Sequence, residues 1–205
     1  ILIHYSEGLM GFFGIDSDGN QYSIAKVKQM VADGEDTSII QYIGYNDGIL
    51  ANSDRGDGTV GCGFIFSIPY SKVESSWASA EVEFDDPDTE EKDLPFKNTS
   101  VLAMADMQST LNTTKIIEIG EKLNLSTPAA SYCRRRTIII GGVERKGSLP
   151  SFGVAYRMKL NYSLLQSLCD TLGKTAPNIN TERWFTSSQL SEKQANVLEY
   201  GNFNT

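Results

Sequence analysis

Short apolar and aromatic runs broken by glycine, asparagine and aspartate fill residues 1–84, which is the pattern of strands joined by tight turns. GFFGIDSDGNQYSI, residues 11–24, sets an Asp-Gly pair between two such runs and predicts a hairpin. AKVKQMVADG (25–34) has the spacing of one short helix that ends at Gly34. TSIIQYIGY (37–45) reads as a strand, GCGFIFSIPY (61–70) as a buried one, and ASAEVEF (78–84) alternates as a half-exposed strand does. DDPDTEEKD, residues 85–93, is acidic with a proline and predicts a solvated loop and a boundary.

From residue 100 the period becomes helical. TTKIIEIGEKLNL (113–125) places Ile116, Ile117, Ile119 and Leu123 toward one face, with Asn112 or Thr113 as its cap and Gly120 as a weak point. Thr127 and Pro128 predict the cap and first turn of a second helix, TPAASYCRRR. TIIIGG is a short buried strand stopped by two glycines. In the corner after it, Gly147 lets the loop turn, Leu149 anchors in the core, Pro150 presets φ, and Ser151 caps a helix carrying Val154, Tyr156, Met158 and Leu160. NYSLLQSLCDTLG puts Leu164, Leu165, Leu168 and Leu172 on a common face with Gly173 at its end. Residues 182–203 read as a strand, a polar turn and a second strand from Asn196. The order β, then helices, then β indicates an α+β fold.

Composition narrows the partners. The 205 residues are 40% apolar and carry a net charge of −8, with pI near 4.7. That balance argues against nucleic acid, whose affinity rests on Lys and Arg neutralising phosphates. No apolar run reaches the ~20 residues of a membrane span. The chain lacks a signal-peptide pattern and does not begin with Met, which fits a fragment or processed form. Cys62, Cys133 and Cys169 are far apart, without a C-x-x-C, and His4 is the sole histidine, so a zinc site is not expected and the cysteines read as small buried hydrophobes, with one disulfide among them as the alternative.

Candidate chemistry is sparse. GDGTVG (56–61) has dinucleotide-loop spacing, but a strand comes after it where the mechanism needs a helix N-terminus. Arg55-Gly56-Asp57 is an adhesion tripeptide of almost no specificity. DSDGN and the acidic loop both lack calcium-loop spacing. Arg134, Arg135 and Arg136 form a basic cluster at a helix end, where they complement its dipole, with a phosphate or acidic sugar as the sharper alternative. Sequons occur at Asn98, Asn112, Asn124 and Asn161. No Ser-His or Cys-His pair has an evident base, and the acids nearest apolar stretches, Glu118 and Asp170, fit exposed helix faces. No catalytic residue, metal or cofactor is expected.

Four segments in order carry a resemblance: Asn112–Leu123, Pro128–Cys133, Gly147–Ser151 and Trp184–Ser188. They resemble the domains of unknown function with a C-type-lectin-like fold found in gut Bacteroides surface proteins and their phages, marked by an LPS corner and a W-x-S-S strand. The resemblance covers residues 94–205. It implies two helices on a twisted, mostly antiparallel sheet that displays a variable binding surface, preceded by a β-rich N-terminal attachment segment over 1–84. GNFNT stops about where further strands of the family would come. The family's acidic residue after the corner is replaced by Val154 and Ala155, and calcium-lectin signatures are absent.

The expectation is therefore a non-enzymatic display module, a tail fibre or head decoration of a phage virion or a bacterial surface adhesin. Its location would be a virion or the cell surface, and its partners other virion or surface subunits, a host-surface glycan or protein, and copies of itself. Trp184, Phe185, Thr186, Ser187, Ser188 and Gln189 are the candidate ligand-contact residues, since an aromatic beside hydroxyls suits sugar stacking; Gly147, Leu149, Pro150 and Ser151 form the structural corner. Alternatives are a formylglycine-generating-like enzyme, which requires a close pair of reactive cysteines, and a purely structural virion component.

Overall fold

The computed structural model describes residues 3–5, 9–47, 63–67, 73–80, 83–88, 94–179, 181–191, 194–199 and 202–204. The loop with Arg55-Gly56-Asp57, GDGTVG and Cys62 lies outside them. The class is α+β, with small antiparallel sheets and six helices among the described residues.

The N-terminal half forms one antiparallel sheet. β1 (Ile3–Tyr5), β2 (Gly11–Asp16), β3 (Gln21–Ser23), β4 (Ile40–Asn46) and β5 (Gly63–Ser67) stand in the order β1-β5-β4-β2-β3. The expected 11–24 hairpin is present, with Phe13 opposite Ser23 and Ile15 opposite Gln21. Asp16 holds its turn: one carboxylate oxygen accepts the N–H groups of Asp18 and Asn20, the other the Asn20 amide and the Tyr22 hydroxyl at 2.8 Å. Helix α1 (Ile24–Ala32) is capped by the Ser23 hydroxyl, which accepts the Lys26 N–H at 3.1 Å, and Gly34 stands beyond its end at φ +70°. Strand alternation divides the large side chains between the two faces. Phe12, Ile43, Tyr45 and Phe64 join one core, while Phe13 and Ile15 pack with Ile140 on the other side. Gly44 makes room for this second layer, because a Cβ there would stand 2.5 Å from the Phe13 ring.

The middle of the chain is helical, with α2 (Ser100–Ala105), α3 (Ser109–Lys122), α4 (Pro128–Arg134), α5 (Phe152–Leu160) and α6 (Tyr162–Thr171). Between α4 and α5 a hairpin of β6 (Thr137–Ile140) and β7 (Val143–Lys146) turns through Gly141 and Gly142, both at positive φ. β8 (Arg183–Ser191), β9 (Gln194–Glu199) and β10 (Asn202–Asn204) form a three-stranded sheet. The main core gathers Val27 of α1, Phe152, Val154 and Met158 of α5, and Leu165 and Leu168 of α6 under the N-terminal sheet. Each such buried side chain contributes ~1.5–3 kcal/mol. This core draws on both sides of the acidic segment, so residues 1–84 share their interior with α5 and α6. A second cluster joins Phe84 and Leu94 to Ile116, Ile119, Ala129, Ala130, Cys133 and Leu149.

Several expectations are corrected. α3 begins at Ser109, so Asn112 and Thr113 sit inside it, buried, and cap nothing. Pro150 precedes α5 by two residues, and Ser151 occupies the cap position without making a side-chain cap bond. Leu160 and Leu164 face solvent, because the buried positions are Phe152, Gly153, Val154, Ala155 and Met158 in α5 and Leu165, Leu168 and Cys169 in α6. Ala78–Ala80, Glu83 and Phe84 are not in a strand; Glu81 and Val82 lie outside the described residues. β9 starts at Gln194, two residues before the expected Asn196.

Candidate functional site

The N-terminus of α5 lacks a cap of its own and borrows one from three other elements. The Ser109 hydroxyl of α3 accepts the Ser151 N–H at 2.9 Å, the Ser188 hydroxyl of β8 accepts the Phe152 N–H at 2.9 Å, and the Asp106 carbonyl accepts the Gly153 N–H at 3.1 Å. Thus the free amides of a helix start are satisfied in trans. The groups that supply the caps are themselves organised by the Asp106 carboxylate. It accepts the Ser188 hydroxyl at 2.7 Å, the Asn112 amide at 2.9 Å and the Gln108 N–H at 3.1 Å. Thr113 donates to the Ser109 carbonyl at 2.6 Å and accepts the Leu149 N–H at 3.0 Å. Asp106, Ser109, Asn112, Thr113, Ser151 and Ser188 are all buried. Gly153 is required here: its backbone lies so close to α2 that a Cβ would meet the Met104 and Asp106 carbonyls at 2.5 Å.

The corner residues fall into this joint. Gly147 N–H bonds to the Arg136 carbonyl at 2.7 Å, Leu149 is buried in the second cluster, and the Pro150 carbonyl accepts the Ser187 N–H at 2.8 Å. The four segments that carry the resemblance therefore converge: Asn112 and Thr113 from the first, Ala129, Ala130 and Cys133 packed with Leu149 from the second, the corner as third, and Ser187 and Ser188 as fourth.

The six candidate contact residues are divided by the structure. Thr186, Ser187, Ser188 and Gln189 are at most 1% exposed. Between Phe185 opposite Val197 and Gln189 opposite Ala195, β8 takes four steps to the two of β9, and the resulting bulge turns these hydroxyls inward. The edge of β8 is also covered. Trp77 Nε1 donates to the Thr186 carbonyl at 2.9 Å, Lys97 N–H to the Gln189 carbonyl at 2.7 Å, and Gln189 Nε2 to the Phe84 carbonyl at 3.0 Å. The Ser187 hydroxyl has no hydrogen-bond partner among the described residues. Trp184 is half-buried against the main core, with Nε1 toward Glu182 at 3.2 Å, and Phe185 is exposed. A ligand reaching this strand meets Trp184 and Phe185 and not the hydroxyl run.

Other polar groups lie apart. Tyr45, buried beneath Phe12 and Phe64, donates to Asp47 at 3.0 Å and accepts from Asn161 at 2.8 Å, while Arg157 pairs with Asp47 at 3.0 Å. Burial, then the Asp47 charge, push the phenol above its usual range, so it stays protonated at neutral pH. This quartet ties the end of β4 to the C-terminal end of α5. Arg134 is clamped to α3, donating to the Thr110 carbonyl and the Thr114 hydroxyl, and Arg136 lies 4.7 Å over the Tyr132 ring and donates to its hydroxyl. Cys133 and Cys169 are free, buried and in different clusters. Burial raises both thiols, and with Asp170 nearby Cys169 is pushed to about 11. Glu118 and Asp170 are exposed. Among the described residues no group of three His, Cys, Asp or Glu side chains could hold a metal, and no helix is long and apolar enough to cross a membrane.

Asp106 and Trp77 were missed in the sequence. Asp106 is the one acid in the mostly apolar stretch VLAMADMQSTL, and that isolation was the available signal.

No family model matches the chain, and no curated protein or solved structure matches it. The joint and its surroundings stand on their geometry alone.

Proposed function

We propose that the chain is a non-enzymatic display module of a phage virion or bacterial surface, built on a C-type-lectin-like arrangement of the α+β elements over residues 94–205, and that it contacts a glycan or protein through its outer face. The observation that supports this reading is the convergence of all four resemblance segments on one buried joint. Asn112, Thr113 and Ser188 of these segments are spent on holding the corner, the start of α5 and β8, which is what a scaffold signature requires and a reactive site does not. The formylglycine-generating alternative gains no support, because Cys133 and Cys169 occupy separate clusters with raised thiols and so make no reactive pair.

The test is binding of the purified chain to an array of glycans and to intact cells. Saturable binding that weakens on Phe185→Ala, with the fold retained by circular dichroism, is the expected result. Binding to neither surface by a folded chain contradicts receptor display and leaves the purely structural virion role.

A further inference from the structure

We draw no further inference here: the strongest candidate, the side-chain cluster at the start of β8 in which the Glu182 carboxylate accepts the Trp184 indole N–H at 3.2 Å and Trp184 and Tyr162 pack against the main core, belongs to the site already described.

Discussion

Asp106 is the residue on which the joint depends most. Its carboxylate satisfies three donors inside the protein, and its removal leaves the Asn112 N–H and the Ser188 O–H buried without an acceptor. Bonds to a charged acceptor contribute ~1.5–3 kcal/mol each and an orphaned buried donor costs ~1–3 kcal/mol. Asp106→Ala is expected to lower stability by about 3 kcal/mol or more in urea unfolding. Ser188→Ala should cost about 1–3 kcal/mol, since it loses both a cap and the bond to Asp106, whereas Ser187→Ala, whose hydroxyl bonds to nothing among the described residues, should be neutral within ~0.5 kcal/mol. Equal effects of the two serines would contradict the assigned roles. At Asp16, burial acts to raise the pKa, but the Asn20, Tyr22 and Asp18 hydrogen bonds outweigh it and hold the carboxyl below its usual range. A depressed folded-state value adds stability above the unfolded pKa of ~3.9 that is lost as pH falls through the folded value. Acid unfolding should therefore steepen below about pH 4, and Asp16→Asn should flatten that limb of the stability–pH curve. The turn role of Asp16 was legible in DSDGN, because an Asp-Gly hairpin is encoded locally. Asp106 and Ser188 were not, because these partners lie 82 residues apart.

Elements were legible in proportion to how local their causes are. α1 has its cap, apolar face and terminal glycine within a dozen residues, and it forms as expected. α3 starts earlier than its asparagine and threonine suggest, because these residues bond to Asp106, Ser109 and Leu149 once buried. The β8 bulge was illegible for the same reason: plain alternation sets Ser187 on the face opposite Thr186 and Ser188, and only the partner strand reveals the extra residues of the stretch in which all three are buried. α5 gives the sharpest test at this scale. Alanine has a better helix propensity than glycine by ~1 kcal/mol, so an isolated helix would gain from Gly153→Ala. Here the added methyl would meet two carbonyl oxygens at 2.5 Å and Met107 at 2.9 Å, and the closest two are not easily displaced because they belong to the backbone. The expected outcome is a loss of about 1–3 kcal/mol in thermal or urea unfolding, and a gain in stability would show that α2 and α5 are not packed this closely.

For the molecule as a whole, the α+β class was legible from the change of period along the chain, while the way its parts share a core was not. The acidic composition of 85–93 predicts a solvated loop, which says nothing about what the flanking segments touch. The interior joins Phe12, Tyr45 and Phe64 to Phe152, Leu165 and Leu168 across it. The candidate contact strand was legible as a motif while its burial was not, because a signature of hydroxyls beside an aromatic fits a buried joint as well as a sugar site. Of the six contact candidates only Phe185 is exposed and Trp184 is half-buried, so a display role would use this end of β8. It is tested most directly by electron cryomicroscopy of the intact particle or cell envelope that carries the chain, with the fold placed in the density. The account predicts repeated copies on the outer surface with Phe185 facing solvent. Copies packed wholly inside, or a chain found free of any particle or envelope, would contradict it.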